Sequence, residues 1–450
     1  MRALLLAAFF LGSVPFCFFR PFYGIALWVI VAFVNPQAYI WGADTLPWAQ
    51  LVILPTIIGT ILYVRKGWSA LKEREPLLII ALGIWFAITT VVSTNTPMLM
   101  HHSTDTVVRL WLVTKILVGA MLTIPIVNTF EKLRTFTIVI ACSFGLFVVK
   151  SFPFIIATGG QFRLYGPPAS MIADNNDFGL ALNMTLPLFF FLAQAESKRW
   201  VKRTFGFLFF ATIPAILFTY SRGALVGLVV VGFLMLLRLP MRLRLLITPV
   251  LVLGGIIAMV FAPDSWRDRM GTLGNTSADA SAQSRLNSWQ YSMNLAADHP
   301  VTGGGFATFT HELYVRYAPN SAVEAQTAHS IYFQVLAEHG YVGLFLYLLL
   351  LASGFLSVAR LTRQARRFGD QTVVHYGNMF QFSLVGFATA GAFLSRAYFD
   401  YYFCILACIA ILKYVTHQRW SRPEEDDSEA GEDNEDSHDS VWPPEGVPAL

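Results

Sequence analysis

Charge is what this sequence has least of. Only 13% of its 450 residues are Asp, Glu, Lys or Arg, against about a quarter in an ordinary soluble chain, while 55% are hydrophobic and 14% aromatic. So apolar a composition excludes an ordinary soluble globular protein and predicts a polytopic membrane protein. Cysteine is scarce as well. Cys17, Cys142, Cys404 and Cys408 all lie in apolar runs, where a thiol packs as a small hydrophobe, so no disulfide or metal framework is indicated. No internal repeat is evident, which weighs against transporter folds built from repeated halves. A D-x-D motif in an outer loop and any convincing metal-ligand cluster are also missing. The N-terminal MRALLLAAFFLGSVPF lacks a small-x-small cleavage site and runs on into further apolar sequence, so it reads as a retained membrane segment.

What is present is a series of apolar runs of roughly 15 to 22 residues, enough to cross a bilayer at about 1.5 Å per residue with some tilt. The predicted class is all-α, with 12 transmembrane helices, or 13 if Arg20-Pro21 turns a hairpin within residues 3–34. A cytoplasmic N-terminus requires the even count. Basic connectors (Arg65 to Arg74, Lys132 and Arg134, Lys198 to Arg203, Arg238 to Arg244, Arg360 to Arg367, Lys413 to Arg422) hold 20 of the 32 Lys and Arg residues. They alternate with basic-poor ones: Asn35 to Ala49, Ser93 to Thr106, Gly159 to Asp177, FTYSRG, the loop after Pro263, and SRAYFDYY. The positive-inside rule puts the first set in the cytoplasm and the second outside. The expected organisation is N-terminal transmembrane helices over 1–158, a transmembrane core over 159–262, one large outer loop with short helices over 263–339, C-terminal transmembrane helices over 340–416, and a tail over 417–450. From Glu424 to Leu450 that tail holds 11 acidic residues and no Lys or Arg, the composition of a disordered cytoplasmic segment. Ionisable groups inside spans are few. Lys115 is the clearest, and without a visible acidic partner it reads as a snorkelling side chain.

Polar groups with chemical potential gather on the basic-poor side. Arg163, Gly166 and the Asn175-Asn176 pair precede a span, and Arg222 sits in TYSRGALVGL at a turn too short to be an ordinary loop. A guanidinium at a membrane interface offers paired donors to phosphate oxygens, although an isolated one is more often an anchor on native phospholipid. In the long loop, SAQSRLNSWQYSMNLAADHP predicts an amphipathic helix with Leu286, Trp289, Met293 and Ala296 on one face and Arg285 one turn before Trp289. Gly303-Gly304-Gly305 follows as a flexible turn or a backbone approach to a ligand. His329 and Ser330 then open a helix predicted to break at Glu338-His339-Gly340. A histidine at a helix N-terminus has its imidazolium disfavoured by the dipole, leaving a ring able to accept a proton. Taken alone it is one histidine among nine.

The order of these segments carries more. R-x-x-G with an Asn-bearing segment, S-R-G-A-x-x-G, S-R-x-x-x-W with P-x-x-G-G-G-F, and A-H-S-x-Y-x-x-x-L-A-E-x-G-x-x-G together resemble the bacterial O-antigen ligase and polymerase superfamily, over roughly Arg163 to Leu350. More narrowly, MRALLLAAFF and RPFYGIALWVIVAFVNPQAYIWG are similar to the O-glycosylation ligases associated with exosortase and exopolysaccharide systems. The resemblance implies a membrane glycosyltransferase that takes a glycan from undecaprenyl diphosphate at the periplasmic face and transfers it to a glycan, lipid or protein hydroxyl. It implies no cofactor, no metal and no nucleic-acid partner. The family histidine carries over onto His329 as catalytic base, and the family arginines onto Arg222 and Arg285 as diphosphate binders. Arg163 is a further binder, with Asn176, Trp289 and Glu338 in support. A polymerase acting on the same donor, a polysaccharide or lipid transporter, and a non-catalytic assembly protein are the rival readings.

Overall fold

Long apolar runs fold as helices because the hydrocarbon core offers no water to backbone N–H and C=O groups, so each must be satisfied within its own segment. The computed structural model describes residues 2–40, 46–96, 99, 103–271, 280–320 and 324–421. Among them there is no strand. The chain runs through α1 (Arg2–Phe19), α2 (Pro21–Val34), α3 (Trp48–Tyr63), α4 (Arg74–Asn95), α5 (Ser103–Ile126), α6 (Phe130–Thr158), α7 (Asn175–Ala195), α8 (Arg199–Leu217), α9 (Arg222–Leu237) and α10 (Met241–Phe261). The polar stretch holds α11 (Asp264–Gly271), α12 (Ala280–Asp298) and α13 (His311–Tyr317), and the chain returns through α14 (Ile331–Arg367), α15 (Gln371–Ala390) and α16 (Asp400–Trp420). His101, His102 and the acidic run from Glu424 lie outside the described residues.

The all-α, multi-pass expectation holds. Six helices, α4 to α8 and α14, are long and apolar enough to cross a membrane, and α1, α2, α3 and α9 are apolar but shorter. The three remaining long helices of the bundle are α10, α15 and α16. Lys115 lies exposed on α5 with its ammonium over the Trp111 ring, 5.6 Å from the centroid, as a snorkelling side chain does.

The start of the chain is a hairpin. Phe10 packs on Trp48 and Phe18 on Tyr63, so α1 runs parallel to α3. Gly24 abuts Thr56, and Val31 clusters with Trp48 and Val52, so α2 runs antiparallel to it. Pro21 suits the first turn of α2, where a missing N–H costs nothing. This is the hairpin at Arg20-Pro21, and it places Arg20 at the same end as Arg65 and Lys66.

Helices α7, α15 and α16 form the interior, with 78% of the apolar window of α7 buried. Close approach between them depends on small residues. A Cβ at Gly386 of α15 would stand 2.8 Å from the Asn183 carbonyl oxygen of α7. The Asn183 amide in turn donates to Ala224 O of α9 at 2.9 Å. This packing ties the middle of α7 to the first turn of α9, and the N-terminal ends of both helices belong to the site.

α14 bends where the sequence predicts, at Gly340 (φ 67°, ψ −170°). The glycine triplet serves that bend. Gly304 N–H donates to Ala337 O (2.8 Å), Gly305 N–H to Glu338 O (2.9 Å), and Tyr341 N–H to Pro300 O (2.8 Å). A Cβ at Gly303 would lie 2.6 Å from Ala337 O. The close approach anticipated for a ligand is therefore occupied by the protein's own backbone. α12 also departs from expectation in its buried face. Leu286 and Met293 are exposed, while Ser288, Tyr291, Ser292, Leu295 and Ala296 are buried. Tyr291 decides this: its ring stacks on Tyr314 of α13 at 4.6 Å and its hydroxyl donates to Thr308 O. A helix burying an aromatic ring against a loop domain rotates toward that ring, whatever its aliphatic residues prefer.

Candidate active site

The connectors opposite the basic end meet in one place, and the residues that meet there come from four parts of the chain. The tight turn before α9 is set by Tyr220, which adopts a left-handed backbone (φ 58°). Such a conformation costs a non-glycine residue about 1 to 3 kcal/mol and persists only when its surroundings over-determine it. Here they do. Its hydroxyl donates to Gly160 O (2.7 Å), and its carbonyl accepts from Arg269 Nε (2.9 Å). The Trp266 indole donates to Leu217 O nearby (3.0 Å). Ser221 then caps α9 by accepting from Ala224 N–H at 3.2 Å. Arg222, the first residue of α9, is 8% exposed.

His329 is held in the same manner. It too is left-handed (φ 46°), immediately before the Ser330 N-cap of α14. Its N–H donates to the Ser395 hydroxyl oxygen at 2.7 Å. The preceding carbonyl, Ala328 O, accepts from the Trp289 indole N–H at 2.9 Å, and Trp289 stacks on Phe333 at 5.1 Å. α12 thus grips the chain on both sides of His329, and Arg285 lies one turn away along the same helix. Burial depresses the His329 pKa, and the Arg285 cation depresses it further, with Asp174 opposing. Burial and Arg285 thus favour the neutral ring, the form a proton acceptor needs.

The segment joining α15 to α16 holds these pieces together. Phe393 packs against Gly223, beside Arg222, where an added Cβ would stand 2.9 Å from the Phe393 Cβ. Ser395 takes the His329 N–H. Arg396 forms an ion pair with Asp177, which is buried in the first turn of α7. Ala397 N–H donates to Gln334 Oε1 (3.1 Å), and Tyr398 donates to the Glu338 carboxylate. Arg396 Nε is buried and has no hydrogen-bond partner among the described residues.

His329, Arg285 and Trp289 are brought together, with Arg222 joined to them through residues 391–399. Arg163 stands on the same face but is exposed, beside Leu164, whose N–H donates to Phe218 O at 2.9 Å. Asn176 is occupied locally, its backbone and side-chain N–H groups both donating to Asp174 Oδ1 (2.8 and 2.9 Å). Its neighbour Asn175 reaches across instead, to Thr219 O at 2.7 Å. Glu338 lies nine residues along α14 from His329, roughly 13 Å at the helical rise, and is buried against Tyr398. Among the described residues no group of three or more His, Cys, Asp or Glu side chains is placed to hold a metal ion.

Sequence reasoning missed Ser395, Arg396, Asp174 and Asp177. One signal was available for Arg396, an arginine in a connector on the side otherwise poor in basic residues. Asp174 carried another, since an Asp preceding an apolar run is a helix N-cap signature, and it accepts from Asn176 N–H accordingly.

Residues 207–348, which include Arg222, Arg285, Trp289, His329 and Glu338, match the family model described as O-antigen ligase. Residues 1–196 match that of a family of unknown function (DUF5935). No curated protein matches the chain. An all-helical membrane bundle bearing this domain defines a membrane enzyme of the ligase or polymerase type. The match over residues 207–348 supports the likeness of this part of the chain to the O-antigen ligase and polymerase superfamily.

Proposed function

We propose that the protein is an O-antigen ligase-like glycosyltransferase of a bacterial inner membrane, transferring a glycan from undecaprenyl diphosphate to an acceptor hydroxyl at the periplasmic face. The observation that carries this reading is the joint placement of His329 and Arg222. Each follows or occupies a strained turn, and the two turns are clamped by one segment, residues 391–399. His329 accepts the acceptor's O–H proton while the freed oxygen attacks the anomeric carbon. The bond from that carbon to the diphosphate breaks, and the electron pair leaves with undecaprenyl diphosphate. Attack opposite the leaving group inverts the anomeric centre. The leaving group is already a stable anion, so the reaction needs charge stabilisation in a partly dry site rather than a strong acid. Arg222 and Arg285 provide it, with Arg163 a further binder at the exposed rim and Asn176, Trp289 and Glu338 in supporting positions.

The test is transfer from a purified lipid-linked glycan. His329→Ala is expected to abolish turnover while leaving donor binding; retained wild-type turnover refutes the assignment of the base. A polymerase acting on the same donor is the rival reading, and product length separates the two activities. A single transfer to a foreign acceptor means ligase, and a ladder on polyprenyl lipid means polymerase. Mass spectrometry of the products lost on inactivation identifies the acceptor.

A further inference from the structure

The opposite end of the bundle carries polar chemistry that glycan transfer does not use. There α4 begins and α14 and α16 end, and between them lies a cavity of about 240 Å³ lined by Arg74, Ser357, Arg360, Gln364, Lys413 and His417. Its inner wall is a fixed polar structure. Glu75, 0% exposed, accepts from Ser353 Oγ (2.8 Å), Ser357 Oγ (2.5 Å) and Lys413 Nζ (3.1 Å). Lys413 also pairs with Glu73 at 2.7 Å. Two carboxylates more than neutralise Lys413, so the positive charge facing the cavity comes from Arg74 and Arg360, which stand exposed on the rim with His417. Among the described residues no acidic side chain lines the cavity itself, Glu75 lying behind Ser357 and Lys413.

Membrane sidedness explains why basic residues are abundant at this end. It does not explain why basic side chains from three helices converge on one concavity, nor why a fully buried carboxylate fixes the lysine in its wall. Two guanidinium groups on a common rim suit phosphate oxygens better than a single carboxylate, because each fork presents parallel donors. The volume lies below the range of about 300 to 1,000 Å³ usual for organic ligands, so a phosphate group fits where a sugar nucleotide does not. The helix ends place the rim at the level of lipid headgroups, where basic pockets between helices take anionic ones.

We propose that this cavity binds a phosphate group presented by an anionic phospholipid of the leaflet on the basic side, gripped by Arg74 and Arg360 from different helices. The lipid cross-links α4 to α14. The site is independent of glycan transfer.

The experiment uses the full chain, purified in neutral detergent, with native mass spectrometry and thermal unfolding as readouts. Phosphatidylglycerol, phosphatidylcholine and inorganic phosphate are titrated separately. Phosphatidylglycerol is expected to be retained and to raise the unfolding midpoint, and phosphatidylcholine is not. The Arg74→Gln/Arg360→Gln pair should weaken phosphatidylglycerol binding by about tenfold or more, the scale of a lost charged hydrogen bond. Arg199→Gln/Arg203→Gln, which removes the same charge from the same end away from the cavity, should leave it nearly unchanged. If inorganic phosphate reproduces the shift with the same dependence on Arg74 and Arg360, the site stands and its ligand is free phosphate. Equal weakening in both pairs would mean general surface attraction and would overturn the proposal, as would retention indifferent to headgroup charge. Should the cavity pair not fold, Arg360→Lys keeps the charge and loses the fork, and unchanged phosphatidylglycerol binding in that variant also overturns it.

Discussion

Replacing Ser395 by Ala tests the link between the strained backbone at His329 and catalysis. The Ser395 hydroxyl accepts the His329 N–H at 2.7 Å. His329 holds φ at 46°, a conformation that costs about 1 to 3 kcal/mol away from glycine. Removing the acceptor leaves a part-buried N–H unsatisfied, at a further cost of about 1 to 3 kcal/mol. The two terms act on the same residue and in the same direction, so relaxation of residues 328–330 becomes favourable even though the Trp289 bond to Ala328 O remains. The imidazole then moves by a fraction of its side-chain length. A misplacement of about 1 Å in a reacting group can lower turnover about 100-fold. The expected result is a loss of kcat of roughly 10- to 100-fold, with KM for the lipid-linked donor nearly unchanged because the arginines are untouched. Ser395→Thr retains the hydroxyl and should restore most of the rate. The assay is transfer from purified donor, with the unfolding midpoint followed in parallel to separate local from global effects. Wild-type kcat in Ser395→Ala would refute the reasoning, since it would show that the left-handed turn is held without this bond or is not needed.

The pH profile supplies a second test. Burial and Arg285 hold the His329 pKa below its ordinary value while Asp174 raises it, so the neutral, active ring persists as pH falls and the rate drops only below that depressed pKa. Arg285→Gln should move the acid limb to higher pH and Asp174→Asn to lower pH; shifts of the same sign in both would contradict the electrostatic account. Because protonation is disfavoured in the folded state, the folded protein also loses stability as pH falls from the unfolded value of about 6.5. Arg222→Lys keeps the charge but loses the fork, and is expected to reduce kcat/KM by about 100-fold; near-normal activity would reduce Arg222 to an interfacial anchor.

The hydrophobic period and the alternation of basic with basic-poor connectors sufficed for an all-helical bundle, because each spanning segment must satisfy its backbone locally. Gly340 was legible for the same reason, as a local break in an otherwise helical pattern. The Arg20-Pro21 hairpin was open to two readings, because a short apolar pair of helices looks the same folded or extended until Trp48, Thr56 and Tyr63 of α3 supply partners. The buried face of α12 was misjudged because aliphatic spacing does not reveal that Tyr291 has a ring to stack on in α13.

Among the candidate site residues, Arg222, Arg285 and His329 stand out in the sequence because each is an unusual residue type at an informative place: a tight turn, an amphipathic helix, a helix start. Ser395 and Asp177 do not, since serine and aspartate in a polar connector are ordinary, and Arg396 shows only as a basic residue on the basic-poor side. What the sequence by itself determined is the membrane class, the two chemically different faces of the bundle, and the residue types available for binding a diphosphate and accepting a proton. These follow from composition and local periodicity. Only the tertiary structure decided how residues 391–399 join the first turns of α7, α9 and α14. Hydrogen bonds and ion pairs between residues 66 and 219 positions apart depend on helix packing, and local sequence does not encode it.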